Sequence, residues 1–83
     1  MQWYVYIVKC SDDTLYTGVT TNISRRINEH NGEGKLGAKY TRARRPVELM
    51  YSYEYSDRST ASKEEYRIKK LTLQEKERLV IGK

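Results

Sequence analysis

The chain opens on a run that is β-branched and aromatic throughout, Trp3-Tyr4-Val5-Tyr6-Ile7-Val8, and such a run reads as a strand. Side chains alternate along a strand, so Trp3, Val5 and Ile7 share one face and Tyr4, Tyr6 and Val8 the other. Ser11-Asp12-Asp13-Thr14 carries turn chemistry. Leu15 to Thr20 reads as a second strand, which makes residues 3–20 a hairpin. A turn centred on Asp12 sets Val8 opposite Tyr16 and Tyr6 opposite Gly18. Tyr6 and Tyr16 are then diagonal neighbours on one face, with Gly18 leaving open space beside Tyr6. A register one residue different puts the two tyrosines on opposite faces, and both registers stay open at this level.

Thr21 or Asn22 as N-cap and Gly32 as stop bound a helix from about Ile23 to about His30. Its apolar residues are Ile23 and Ile27, and Arg26 and His30 fall beside them in a sector of about 100°. A guanidinium on that stripe needs an anionic partner, unless its long stem carries the head to solvent. Residues 31–46 hold three of the five glycines and five of the basic residues. They read as a flexible basic connection with a helical turn around Ala38 to Arg42. Val47 to Tyr55 reads as a third strand, with Val47, Leu49, Tyr51, Tyr53 and Tyr55 alternating onto one face. Asp57 or Ser59 caps a helix running to about Lys70, whose apolar stripe is Ala61, Ile68 and Leu71. Glu64 and Glu65 both border that stripe, and periodicity does not separate them. Thr72-Leu73-Gln74-Glu75 is a capping box opening a last helix through Val80. An inward glutamate and an inward arginine on separate helices read either as a salt bridge or as two halves of one site, one for a metal and one for a phosphate.

At 83 residues and 9.8 kDa, one domain over 1–83 is expected. Nine aromatics, eight of them Tyr, supply a modest core in a chain of mean hydropathy −0.88. Cys10 is the single cysteine and His30 the single histidine. One chain therefore builds no disulfide scaffold, no Cys-based zinc site and no two-histidine metal site. No apolar run is long enough to span a bilayer, and the first residues lack the basic and apolar regions of a secretory signal. A cytoplasmic protein without a membrane partner is expected.

The net charge of +5 is unevenly placed. Residues 1–21 carry net −1 and residues 47–83 net +1, whereas residues 22–46 carry seven basic against two acidic side chains. Such a segment suits a phosphate backbone, because each neutralised phosphate releases counterions, although a solvated basic loop has the same composition. The candidate nucleic-acid contacts are Lys35, Lys39, Tyr40, Arg42, Arg44 and Arg45. Tyr40 reads equally as a phosphate contact and as an anchor for its loop. Cys10, at the strand end, reads as an incidental small residue and not a nucleophile, and Lys69 and Lys70 as a solvated helix face or a minor extension of the basic surface.

Tyr4-Val5-Tyr6, Tyr16-Thr17-Gly18 ten residues further on, Arg26 eight residues after Gly18 and His30 four beyond it together resemble the GIY-YIG nuclease domain. Asn22 to Ile27 and His30-Asn31-Gly32 resemble that family's first-helix segment. Gly37 to Arg42 and Arg45 to Leu49 are similar to the catalytic subunit of the eukaryotic structure-specific flap and junction endonuclease. Asp57-Arg58-Ser59 and Glu65 to Lys69 are similar to the small single-domain bacterial members. The first tripeptide departs from Gly-Ile-Tyr and the second from Tyr-Ile-Gly, and both keep the tyrosine. Val19 stands where the excision-repair branch has a lysine.

The resemblance implies an α/β (α+β) fold, a three-stranded antiparallel sheet flanked by helices in the order β-β-α-β-α-α. It implies a DNA endonuclease that hydrolyses phosphodiester bonds, acting on branched or damaged DNA in repair or recombination, with RNA left open as a substrate and a protein partner as a source of targeting. Tyr6 and Tyr16 match the tyrosines of which one or both orient or deprotonate the attacking water. Gly18 matches the glycine that lets a phosphate approach, Arg26 the arginine that holds the scissile phosphate, and His30 a histidine with a proton-transfer role in some branches. Glu65, not Glu64, matches the single metal ligand, for one Mg²⁺ or Mn²⁺ that binds weakly without substrate. Tyrosine has a pKa of about 10 and needs nearby positive charge to act as a base. The alternative is a nucleic-acid-binding module of the same fold that turns over slowly or not at all.

Overall fold

A computed structural model describes residues 2–32 and 37–82. Its elements run β1 (Trp3–Lys9), β2 (Leu15–Thr20), α1 (Ile23–Asn31), α2 (Lys39–Arg42), β3 (Glu48–Tyr55), α3 (Arg58–Lys69) and α4 (Leu73–Ile81). The expected order β-β-α-β-α-α holds, and α2 is the helical turn expected near Ala38. The sheet is antiparallel with strand order β2-β1-β3.

The β1–β2 turn decides the register. Asp13 adopts φ 67°, a left-handed conformation that Asp tolerates better than most side chains. Asp12 Oδ1 accepts from the Thr14 amide at 3.2 Å and from its hydroxyl at 2.6 Å. The Cys10 amide donates to the Thr14 carbonyl at 2.8 Å and closes the loop. Strand pairing then places Tyr6 opposite Gly18 and Val8 opposite Tyr16. This is the register centred on Asp12, with both tyrosines on one face.

Central β1 is hydrogen-bonded on both edges and covered on both faces, so Val5 to Val8 are all buried. One face is apolar: Val5 and Ile7 pack with Tyr51 of β3 and with Ala61 and Ile68 of α3. On the other face Tyr6 and Val8 pack with Cys10 and Val47, against partly buried Tyr16, Ile23 and Ile27. Burying a side chain the size of Ile68 contributes about 1.5–3 kcal/mol.

β3 departs from the expected single stripe. Ile7 faces Tyr51 but Val8 faces Leu49, so Met50 has no partner on β1. One extra residue reverses the alternation. Tyr51, Tyr53 and Tyr55 stay on the Val5 and Ile7 side, whereas Val47 joins the Tyr6 cluster.

The helix caps follow the sequence. Asn22 accepts from the Arg25 amide, Asp57 from the Thr60 amide, and Thr72 and Glu75 form both bonds of a capping box. The described part of the basic connection is fastened, not flexible. Asn31 bonds both the amide (2.6 Å) and the carbonyl (3.1 Å) of Val47. Arg45 Nε donates to the His30 carbonyl at 2.7 Å. A Cβ on Gly37 would lie 2.8 Å from the Glu29 carbonyl oxygen, so only glycine lets this segment come so close to α1.

Candidate active site

The site grows from the polar face of the hairpin. A Cβ on Gly18 would sit 2.5 Å from the Tyr6 hydroxyl and 2.7 Å from its Cζ. The space expected to stand open beside Tyr6 is therefore filled by the Tyr6 phenol, which leans across β2 over the glycine. Any phosphate reaching Gly18 would meet that hydroxyl first. Burial pushes the Tyr6 pKa up to about 12, against the lowering effect of a hydrogen bond from Arg26.

His30 lies in the last turn of α1 and is fully buried. Its Nε2 is 2.7 Å from the Tyr6 hydroxyl and its Nδ1 is 2.8 Å from Thr41 Oγ1 in α2. Burial, reinforced by the Arg26 charge, brings its pKa down to about 4, so the ring is neutral at pH 7. Its edge also meets the Tyr16 ring at 5.5 Å between centroids.

Arg26, one turn before His30, is half-buried. Its Nη1 donates to Glu29 Oε1 at 2.7 Å, and it also hydrogen-bonds Tyr6. Burial acts to lower its pKa, but those two bonds outweigh it and the net direction is up. The ion pair with Arg26 holds Glu29 below the usual carboxylate range. Of the two readings of an arginine on this stripe, a head carried to solvent or an anionic partner, the half-buried guanidinium takes the partner, and Glu29 of its own helix provides it.

The two glutamates of α3 separate. Glu64 bonds Arg67 and acts electrostatically on Tyr51 and Tyr55, toward β3. Glu65 instead acts on Tyr6, toward the β2 edge. Its Oε2 lies 3.4 Å from Lys69 Nζ, which sits 5.7 Å from the centre of the Tyr16 ring. Tyr6, Tyr16, Arg26 and His30 thus meet from three elements, and Glu65 of α3 comes near them through Lys69 and its field on Tyr6. A single carboxylate suits a divalent ion that keeps most of its water, and the described residues hold no group of three metal-ligating side chains.

The nucleic-acid candidates divide. Lys39, Tyr40 and Arg42 are exposed, and the Tyr40 ring stacks on Tyr16 at 5.8 Å between centroids. The Arg44 guanidinium lies over the Tyr40 ring at 4.0 Å and pairs with Asp12 at 3.0 Å. Arg45 holds the end of α1. Lys35 lies outside the described residues. The Tyr40 ring therefore has contacts within the fold as well as an exposed part. Cys10 is buried, which pushes its thiol pKa up and makes it a poor nucleophile.

Thr41, buried against His30, and Lys69, beside Glu65, are members of the site that periodicity did not single out. A four-residue helix has too few turns to define a face. Lys69 follows Glu65 by four residues, and that spacing was the available signal.

The model of the GIY-YIG catalytic domain matches residues 2–78. A UPF0213 protein of Desulfotalea psychrophila is 62% identical over 78 residues, covering 94% of this chain and 70% of that protein. One of Staphylococcus haemolyticus is 53% identical over 77 residues, covering 93% and 92%. Among solved structures, the solution structure of a UPF0213 protein from Bacillus halodurans is 42% identical with a TM-score of 0.64, covering 100% of this chain and 86% of that one. A protein from E. faecalis is 39% identical with a TM-score of 0.66, covering 99% and 85%.

Proposed function

The chain belongs to the GIY-YIG catalytic-domain family, and from that premise we propose that it is a metal-dependent DNA endonuclease that hydrolyses phosphodiester bonds in branched or damaged DNA. One observation carries the reading: Arg26, Tyr6 and His30, from two elements distant in sequence, form one hydrogen-bonded cluster, and Glu65 of a third pairs with the Lys69 that lies over the neighbouring Tyr16 ring.

Each residue has a chemical task. Arg26 binds the scissile phosphate through a charged fork. The phosphate draws positive charge away from the cluster, and that charge is one of the causes holding His30 low. With its pKa near 12, Tyr6 keeps its proton until another group takes it. His30 Nε2 lies 2.7 Å away and is the group placed to do so. A water attacking phosphorus then passes its proton to the Tyr6 oxygen as the Tyr6 proton moves to Nε2. Tyr16, in edge contact with His30 and stacked on Tyr40, orients what enters beside Tyr6. Glu65 would hold the Mg²⁺ or Mn²⁺, with water and substrate completing its shell. Bound there, the ion would stabilise charge on the leaving oxygen. Lys39 and Arg42 supply sequence-independent phosphate contacts, and a protein partner is one route to targeting.

The test is to incubate wild type, Glu65→Gln and Arg26→Ala with labelled duplex, single-stranded, flap and four-way-junction DNA, and with RNA, with and without Mg²⁺ or Mn²⁺. Metal-dependent cleavage by wild type, lost in both variants, supports the proposal and ranks the substrates. Binding without cleavage, unchanged by Glu65→Gln, replaces it with the binding module.

A further inference from the structure

Thr41 is the one fully buried residue of α2. Its hydroxyl carries a single hydrogen, and its Oγ1 lies 2.9 Å from the Ala38 carbonyl, a group that only accepts. That bond uses the hydrogen. The same oxygen lies 2.8 Å from His30 Nδ1, so toward the imidazole it acts as an acceptor and Nδ1 bears the proton. A neutral imidazole has one N–H, which leaves Nε2 with a lone pair facing the Tyr6 hydroxyl at 2.7 Å. Tyr6 then donates to Nε2 and its oxygen accepts from Arg26.

From this geometry we propose that Thr41 is a positioning residue for the nuclease reaction: it locks His30 in the Nδ1–H tautomer and so points a proton-accepting nitrogen at Tyr6. The inference rests on the nuclease reading for its consequence, but not for the tautomer itself. When the Tyr6 O–H bond breaks, the proton forms a bond to Nε2. The resulting imidazolium keeps its Nδ1–H on Thr41, and the Tyr6 oxygen takes the proton of the attacking water in place of the one it gave. Thr41 neither gains nor loses a proton in that step. Without its oxygen, Nδ1 loses the acceptor that holds its proton. The Nε2–H tautomer then becomes populated, and it meets Tyr6 with a donor where an acceptor is needed. The charged and titratable groups facing the ring are Tyr6 from β1, Tyr16 from β2, Arg26 and Glu29 from its own helix, and Arg45 at its carbonyl.

Because His30 is the only histidine, its ring nitrogens are unambiguous in a nitrogen-15 spectrum. We would record that spectrum at pH 7.5 for wild type, Thr41→Val and Thr41→Ser, and follow it down to pH 3.5. Wild type and Thr41→Ser should show a protonated Nδ1 and a bare Nε2, and Thr41→Val a mixture or the reverse. Wild type with Nε2 protonated overturns the proposal whether or not any variant folds. So does a folded Thr41→Val that keeps the wild-type tautomer. On a DNA that wild type cleaves, Thr41→Val should lose about 10- to 100-fold in cleavage, as losing a supporting hydrogen bond does elsewhere, and Thr41→Ser should keep most of it. Unchanged cleavage by Thr41→Val overturns the positioning role. A wild type that cleaves nothing but shows the Nδ1–H tautomer removes the nuclease reading and leaves the tautomer assignment standing.

Discussion

The two faces of one three-stranded sheet are built by opposite rules. Beneath α3, Val5, Ile7, Tyr51, Ala61 and Ile68 form a cluster held by apolar contact. Beneath α1 and α2, equally buried positions are given to Tyr6, His30 and Thr41, which are held by directional bonds of 2.7 and 2.8 Å. Apolar packing is insensitive to pH and tolerates substitution by shape. A buried hydrogen-bonded chain is costly when one member is lost, because its neighbour is left unsatisfied in a dry site. In a chain of 83 residues, confining such a network to one face leaves the other free to supply cohesion.

Substitutions should separate the two faces. The largest effect is expected from Ile68→Ala, a cavity under α3 costing about 2–5 kcal/mol, read by urea unfolding. Cleavage per folded molecule should barely change, and a proportionate loss of cleavage would join the faces into one unit. Arg26→Ala should do the reverse. Cleavage should fall about 10²- to 10³-fold, as when a preorganised charge is removed from a transition state, with stability falling by only about 1–2 kcal/mol, because the pair with Glu29 is partly exposed and the bond to Tyr6 is the main loss.

Acid offers a test without mutation. His30 has its pKa lowered from 6.5 to about 4, so its contribution to stability is complete above pH 6.5 and is lost as pH falls toward 4. The loss should be on the order of 3 kcal/mol. The lowered carboxylates Asp12, Glu29, Asp57 and Glu75 add losses chiefly below their ordinary values of 3.8 and 4.5. Alkali reaches the same pair from the other side. Tyr6 is raised from 10 to about 12, so its contribution is complete below pH 10 and is lost as pH rises to 12. Thermal unfolding followed from pH 7 to 4 checks the first window, and a flat curve would place His30 outside any buried network.

The smallest of these effects is Gly18→Ala. The added Cβ meets the Tyr6 phenol, which is held by His30, so an overpacking cost of about 1–3 kcal/mol is expected. A Tyr6 fluorescence or ring-resonance shift, with loss of cleavage, would mark the displaced ring. A variant as stable as wild type would show that the phenol moves aside freely.

Much of this was legible in the residues themselves. The Trp3 to Val8 run, the Ser11 to Thr14 turn, Asn22, Asp57 and the Thr72 to Glu75 box act over four or five residues, so they define strands, caps and helices wherever they occur. The ordered tyrosines, Gly18, Arg26 and His30 marked the family on the same basis. Three matters were decided only when distant segments met. The left-handed Asp13 selected the register that brings Tyr6 over Gly18. The lie of α3 across the sheet sent Glu64 toward β3 and Glu65 toward Tyr6. The approach of α2, allowed by Gly37, brought Thr41 to His30. Local periodicity records which side of an element is apolar. It carries no information about which polar neighbour waits at that side's edge, and here that neighbour is what makes a histidine a proton acceptor.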